Sequence, residues 1–446
     1  MAEVKVSVIV AIYNVGKYLR QCLETIVGQT LREIEIICVN DCSTDDSLEI
    51  LQGFAGSDER IRVITLPYNS GNAATPRNTG LKEAQGKYLS FLDGDDYFEP
   101  TMLEKMYKRA EELDSDVVIC DYYDYKADGT IVDRDHYKDR PGVYAYLRQN
   151  DSFSAEVCPD RIFYMNSSDG GAWSMLVRRS FSLSFNLSHS LSFNSNYSLD
   201  DICYTYCSLA LAKRISFVSA RLIYYRHTSS GQYSAKSDYL LIGGIDALAS
   251  IIDVLRKHGV FEDLKECLLN RMLELFRKWI IAPRDVQLFV LGYSELRVKV
   301  IQVWGIDKYP EQYFYDKETY YWIKSVCEKT SEDYTYSLLK RIIHRETVLI
   351  DKCFGKRIII YGAGYCGAYW FGKLFGICDI VMWVDMTKKS KFVSSPDEIK
   401  SNICYDAVLV AINSSEVFQE VKAYLSRLGV PNDLIIWMPN DYLQKE

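Results

Sequence analysis

Four short apolar runs, each followed within a few residues by a helical pattern, constrain the N-terminal third of this chain more than any other feature. Residues 6–12 are almost wholly apolar, which suits a strand covered on both faces. Residues 15–30 then carry Leu19, Leu23, Ile26 and Val27 at helical spacing. Strand patterns recur at 35–40, 62–66 and 87–92, with helices expected over 43–53 and 76–84 between them. Ser43 or Thr44 is the expected cap of the first of these helices, with Asp45 and Asp46 at the positive end of its dipole. Alternation at such short spacing predicts an α/β fold with a doubly wound, mostly parallel sheet, and such sheets bind ligands at the carboxyl ends of their strands.

The polar residues gather at those ends. Tyr13 and Asn14 follow the first strand, Asp41 the second, and Asp93-Gly94-Asp95-Asp96 the fourth. Three carboxylates at the exit of a buried strand repel one another unless a cation or donor groups neutralise them. A hard divalent ion such as Mn²⁺ or Mg²⁺, which takes one or two carboxylates and bridges to phosphates, fits that need. Alone, an Asp-x-Asp is more often a plain acidic turn at a strand end. The charge balance narrows the partner: a net charge of -8 argues against nucleic acid. Thirteen dispersed Cys, with no zinc-type spacing, read as reduced thiols of a cytoplasmic protein, and the N-terminus enters a strand with no leader pattern.

With 446 residues, 48% of them hydrophobic and 25% charged, more than one globular core is expected. A helix through Leu103, Met106 and Ala110 leads to a strand at 116–120, after which the chain is irregular to about residue 198. That stretch is too long for an ordinary loop and is where specificity would be built. Its part 181–197 reads as a mobile lid or as a hairpin excursion. A strand at 214–218 precedes Leu222-Ile223-Tyr224-Tyr225-Arg226-His227, and helical stripes such as Ile245, Leu248, Ile252 and Leu255 fill 240–345. The pattern thus divides into domains at 1–235, 236–350 and 351–446. Glycines, Lys373 and Asp379 interrupt the apolar stretch 358–384, which excludes it as a membrane span.

Ser7-Val8-Ile9-Val10-Ala11-Ile12-Tyr13-Asn14, Val39-Asn40-Asp41-Cys42-Ser43-Thr44-Asp45, Arg77-Asn78-Thr79-Gly80 and Leu92-Asp93-Gly94-Asp95-Asp96 stand in the order and spacing of the family 2 glycosyltransferases. The chain resembles that family densely over 4–125 and more thinly to 235. The resemblance implies a GT-A catalytic domain that moves a sugar, with inversion, from a nucleotide diphosphate donor, UDP being favoured. The acceptor would be a glycan or lipid-linked molecule of bacterial surface-polysaccharide or glycoconjugate synthesis.

By the same resemblance Ala11, Tyr13, Asp41, Arg77, Asp93 and Gly94 would line the donor. Asp41 would accept from the base, Arg77 would lie near the phosphates, and Asp93 would reach ribose or metal. Asp95 would hold Mn²⁺ or Mg²⁺, with His227 as a further metal or diphosphate contact. Asp201, in the pair Asp200-Asp201 where the family has Glu-Asp, would take the acceptor's proton. From the local sequence alone these two acids read equally as helix-capping residues. Asn40 replaces a common Asp, and Cys42 replaces a usual Gly, which leaves that turn's geometry open. Asp96 has no assigned role. Tyr122, Tyr123 and Tyr125 read as sugar-stacking or as core-edge residues.

The last segment has a signal of its own. A strand ending at Tyr361 meets Gly362-Ala363-Gly364-Tyr365-Cys366-Gly367, a helix, and a second strand ending at Asp385. Gly362, Gly364 and Gly367 would let backbone approach a pyrophosphate, and Asp385 would hold a ribose. It resembles small Rossmann-like domains appended to bacterial surface-polysaccharide enzymes, with a structural, oligomerising or nucleotide-binding role. The alternatives for the whole chain are a sugar-nucleotide-binding scaffold or an NAD-dependent sugar-nucleotide enzyme acting through this domain, although it carries no Tyr-x-x-x-Lys pair. Homo-oligomer formation stays open, as does peripheral contact at the inner membrane face through Lys340, Arg341 and Arg345.

Overall fold

A computed structural model describes residues 3–126, 129–133, 136–137, 140–168, 171–184, 199–227, 240–280, 286–302, 304–329, 333, 346–386, 393–400, 404–412 and 415–438. The chain forms two compact units, Met1–Glu328 and Lys329–Glu446. In the first, β1 (Val6–Ile12), β2 (Ile34–Asn40), β3 (Ile61–Thr65) and β4 (Tyr88–Asp93) alternate with α1 (Gly16–Val27), α2 (Ser47–Ala55) and α3 (Ala74–Glu83). They are followed by β5 (Tyr97–Phe98), α4 (Met102–Glu112), β6 (Val117–Lys126), β7 (Ile131–Val132), α5 (Pro141–Gln149), β8 (Met175–Arg178), α6 (Arg179–Ser184), α7 (Asp200–Leu211) and β9 (Ile215–His227).

The sheet runs β3-β2-β1-β4-β8-β6-β9-β5, with β7 paired to β6. Its first four strands are parallel, as the alternation predicts. The other half is mixed: β8 enters antiparallel between β4 and β6, and β5 pairs antiparallel with β9. β6 is also twice as long as the apolar pattern indicates. Its pairing with β9 shifts register at Cys120/Asp121 and Asp121/Tyr122. Those irregularities break the period-two signal where a sequence reader would look for it.

Leu19, Leu23 and Ile26 of α1 and Met102, Leu103 and Met106 of α4 are fully buried against Val8, Val10, Ile12 and Leu92. Each such side chain contributes about 1.5–3 kcal/mol by leaving water. That core fixes β1, β2 and β4 in register, and hence the edge at which they end. The cap of α2 is not Ser43 or Thr44. Asp45 Oδ1 accepts the Ser47 N–H at 3.0 Å while its Oδ2 accepts the Gly16 N–H at 2.9 Å, so one carboxylate serves the starts of two helices.

The helices α8 (Leu240–Lys257), α9 (Phe261–Trp279), α10 (Val286–Glu295) and α11 (Lys317–Glu328) belong to this same unit. A division at residue 235 would cut a buried polar contact: the fully buried Arg271 of α9 donates through Nε to the Tyr206 hydroxyl of α7 at 3.2 Å. Of the lid candidate 181–197, residues 181–184 complete α6 and the rest lie outside the described residues. Among the described residues no helix is long and apolar enough to cross a membrane. Lys340, Arg341 and Arg345 lie outside the described residues.

The second unit has a parallel sheet of β10 (Arg357–Tyr361), β11 (Asp379–Val384), β12 (Ala407–Val410) and β13 (Ile435–Trp437), in the order β11-β10-β12-β13. Its helices include α12 (Tyr365–Leu374) and α13 (Ser415–Arg427). Gly362 has φ 106°, and a Cβ at Gly367 would stand 1.8 Å from the Gly362 carbonyl oxygen, so both positions require glycine. A Cβ at Gly364 would meet nothing within 4 Å. Asp385 Oδ2 accepts the Ala363 N–H at 2.6 Å, so the acid expected at a ribose here secures the glycine turn.

Candidate active site

The parallel register sets Ile12 beside Asn40 and Ala11 beside Asp93, so Tyr13, Asp41 and Gly94 leave the sheet along one edge. Gly94 donates its N–H to the Ala11 carbonyl at 3.2 Å. A Cβ there would lie 2.9 Å from Val15 Cγ2, so the acid turn passes the β1 end only with glycine at this position. Asp96 N–H closes the turn on the Asp93 carbonyl at 3.0 Å. Tyr13 is 46% exposed at the rim.

Two non-glycine residues beside it are left-handed: Asn14 at φ 52° and Cys42 at φ 57°. Asn14 is held there by accepting the Thr44 N–H at 2.7 Å and donating its own N–H to Ser43 Oγ at 3.1 Å. Cys42 sits in a conformation that costs a side-chain-bearing residue about 1–2 kcal/mol. That is the physical reason a glycine suits this position. The Asn40 side-chain oxygen accepts the Ser43 N–H at 3.1 Å, which holds the same turn.

Asp41 is buried, and both its carboxylate oxygens accept from Ser70: Oδ1 from the N–H at 2.9 Å and Oδ2 from the hydroxyl at 2.8 Å. Ser70 lies in the irregular turn before α3 and carries no periodic signal. Arg77 of α3 is enclosed, its side chain 3% exposed, and bridges two of the acids. Its Nη2 donates to Asp93 Oδ1 at 2.6 Å and its Nη1 to Asp201 Oδ1. Expected beside phosphates, Arg77 here joins the end of β4 to the first turn of α7. Asp200 opens α7, and its side chain lies outside the described residues.

Arg226 of β9, which the sequence marks within Leu222–His227 without a role of its own, is the acid turn's main anchor. Its N–H donates to Asp96 Oδ1, its Nε to the Asp95 carbonyl, and its Nη2 to Gln21 Oε1, each at 2.7 Å. The guanidinium also packs on the rings of Tyr125 and Tyr18, 4.4 and 4.7 Å from their centroids. Asp96 is thereby a buried brace of the turn. Burial and the neighbouring charges of Asp95 and Asp93 push its carboxyl well above the usual range. Of the three tyrosines left open, Tyr123 stacks on Tyr224 and Tyr122 on His136, so these rings face protein neighbours.

His227 ends β9, and its Nε2 lies 2.7 Å from Asp124 Oδ1. Asp124 and Asp121 of β6 in turn flank His136, with Nε2 3.3 Å from Asp124 Oδ2 and Nδ1 2.9 Å from Asp121 Oδ1. Burial works against a charged His136, but the two carboxylates outweigh it and raise the imidazolium to about 9. Burial likewise opposes the Asp124 charge, and the hydrogen bonds from both histidines hold it well below the carboxylate range.

A mixed sheet whose parallel half ends in an acidic edge is the architecture of the GT-A enzymes. The crystal structure of residues 1–349 of Staphylococcus aureus TarS, in complex with UDP-GlcNAc, superposes on 74% of this chain and 89% of its own with a TM-score of 0.55 at 21% identity. The model of the glycosyl transferase family 2 matches residues 7–168. Glycosyltransferase GlyG of Streptococcus pneumoniae serotype 4 is 35% identical over 230 residues, 50% of this chain and 71% of that protein. A poly(ribitol-phosphate) beta-glucosyltransferase of Bacillus spizizenii is 38% identical over 117 residues, 26% of this chain and 18% of its own. The chain belongs to the family 2 glycosyltransferases and is a glycosyltransferase.

Proposed function

We propose that the first unit transfers a sugar from a UDP-linked donor to a hydroxyl of a glycan or lipid-linked acceptor in surface-polymer synthesis, with inversion at the anomeric carbon. The single observation that carries this reading is Arg77, buried between Asp93 on the donor strand and Asp201 on α7. Asp41, held rigid by Ser70, has carboxylate lone pairs suited to a uracil imide N–H. Tyr13 and Ala11 lie along the same edge and would flank the base. Asp93 would make a ribose or metal contact. Asp201 takes the proton of the acceptor hydroxyl as its oxygen bonds to the anomeric carbon, and the diphosphate leaves with the electrons of the broken bond.

A divalent cation fits the acid turn. Among the described residues no three His, Cys, Asp or Glu side chains converge to enclose an ion. A cation here would take Asp95, with Asp93, and complete its shell with phosphate oxygens and water, which is the habit of Mg²⁺ and Mn²⁺. When bound, the ion would offset charge developing on the leaving diphosphate. UDP and UDP-sugars, each with and without Mn²⁺, should shift the melting midpoint selectively, by about 2.7 kcal/mol of stabilisation at a hundredfold excess over Kd. Stabilisation by no nucleotide at all would overturn the reading.

A further inference from the structure

The short turn 69–72, between β3 and α3, is fastened at both ends. Towards β2, Asn69 Nδ2 donates to the Asp41 carbonyl at 3.3 Å, and Ser70 gives Asp41 both its N–H and its hydroxyl. Towards α3, Asn72 Oδ1 accepts the Thr75 N–H at 2.8 Å and the Thr75 hydroxyl at 3.1 Å. The residue at the N-cap of α3 is Ala73, which has no polar side chain, so Asn72 caps the first turn in its place. Asn72 Nδ2 in turn donates to the Ser70 carbonyl at 2.9 Å, and the Gly71 N–H donates to Asn69 Oδ1 at 2.7 Å, with Gly71 at φ 75°. Arg77, which holds Asp93 and Asp201, follows Thr75 in the same helix.

One hydrogen links the two ends. Ser70 Oγ lies 2.8 Å from Asp41 Oδ2 and 3.0 Å from the Asn72 carbonyl oxygen, and a hydroxyl gives its hydrogen fully to only one acceptor at a time. A base N–H that reaches Asp41 brings a further donor to that carboxylate and leaves the Ser70 hydrogen to the Asn72 carbonyl, which stiffens the turn that starts α3. We propose that Ser70 and Asn72 form a positioning clasp that joins base recognition at Asp41 to Arg77, so that the base of the donor governs turnover as well as affinity. This rests on the donor-site reading above. The competing account is a turn that braces Asp41 and α3 independently.

Kinetics with whichever UDP-sugar stabilises the wild-type protein, with kcat and KM resolved, separate the two accounts. Ser70→Ala should raise the donor KM about tenfold, narrow the preference for UDP over CDP in binding, and lower kcat about fivefold. CDP is the probe because cytosine offers a lone pair where uracil has its N–H. Asn72→Ala should lower kcat about fivefold, the typical worth of a helix cap, and leave the preference for UDP over CDP unchanged. The double variant should lose no more kcat than the worse single variant, and Ser70→Thr, which keeps the hydroxyl, should restore both KM and kcat. A Ser70→Ala effect confined to KM overturns the proposal, as does an Asn72→Ala kcat within twofold of wild type or multiplied losses in the double variant. A lowered melting midpoint with kcat and the UDP preference intact is the mark of a structural brace and overturns it too. Ser70→Ala against Ser70→Thr decides the matter should Asn72→Ala fail to fold. UDP binding that Asp41→Asn weakens, together with a KM-only effect of Ser70→Ala, overturns this inference and leaves the donor site standing. No binding of UDP by the wild-type protein overturns both.

Discussion

Arg77 offers the sharpest test of how this edge works. Its guanidinium is 3% exposed and spends one nitrogen on each of two acids, Asp93 and Asp201, from different elements. Lysine carries one ammonium in place of the planar fork and cannot reproduce two bonds aimed from separate nitrogens. A hydrogen bond to a charged group is worth about 1.5–3 kcal/mol, so Arg77→Lys should lower kcat/KM for the donor by about 10–150-fold. Arg77→Met removes both bonds and leaves two partly buried carboxylates without a counter-charge. It should cost about 3–5 kcal/mol and also lower the melting midpoint. The assay is UDP release from whichever UDP-sugar stabilises the wild-type protein, with kcat and KM resolved. A loss through Asp93 raises the donor KM, and a loss through Asp201 lowers kcat. If Arg77→Lys keeps kcat and KM within threefold, the fork does not organise the two acids and the reasoning fails.

Two further outcomes follow from other parts of the molecule. His136 is raised from an ordinary value of 6.5 to about 9 in the fold, so its contribution is fully present below pH 6.5 and is lost as pH rises through 9. By linkage that is at most about 3 kcal/mol, and melting midpoints from pH 6 to 9.5 should fall more steeply for wild type than for His136→Gln. Parallel curves for the two proteins would refute the assignment. In the second unit, Gly367→Ala forces a Cβ onto the Gly362 carbonyl, which is 1.8 Å away. Calorimetry of the full chain should show that unit melting earlier, by about 1–3 kcal/mol or more, with UDP-dependent stabilisation of the first unit unchanged. An unaltered second transition would show that the glycine turn relaxes freely.

What was legible in the sequence follows from distance along the chain. β1 to β4 and their helices announce themselves because a two-residue or 3.6-residue period is a local property of the residues that form it. The same holds for Asp41 and the Asp93–Asp96 turn, which sit at strand ends. β8 and the second half of β6 do not, because β8 is a short strand set after an irregular stretch and β6 shifts register at Asp121. Ser70, His136 and Arg226 are single polar residues with no period around them. Their partners, Asp41, Asp124 and Asp95, are named by the fold and by nothing adjacent. Arg77 shows the limit most clearly: the motif marks the residue, but only the approach of α7 to α3 reveals that one of its nitrogens belongs to Asp201.

The pairing of these residues also bears on why a cation belongs to the edge. Asp41, Asp93, Asp95, Asp96 and Asp201 gather five carboxyl groups there, and the guanidiniums of Arg77 and Arg226 supply two positive charges. A nucleoside diphosphate brings further negative charge to the same place. The Arg77 guanidinium is already committed to two carboxylates, and that of Arg226 to the Asp95 carbonyl and Gln21, so neither meets the diphosphate without giving up a partner. A divalent ion carried in with the nucleotide satisfies the acids and the phosphates together. UDP alone should therefore bind more weakly than UDP with Mn²⁺, and the difference should shrink in Asp95→Asn, because that substitution removes a cation ligand and one unit of the charge that makes the cation necessary.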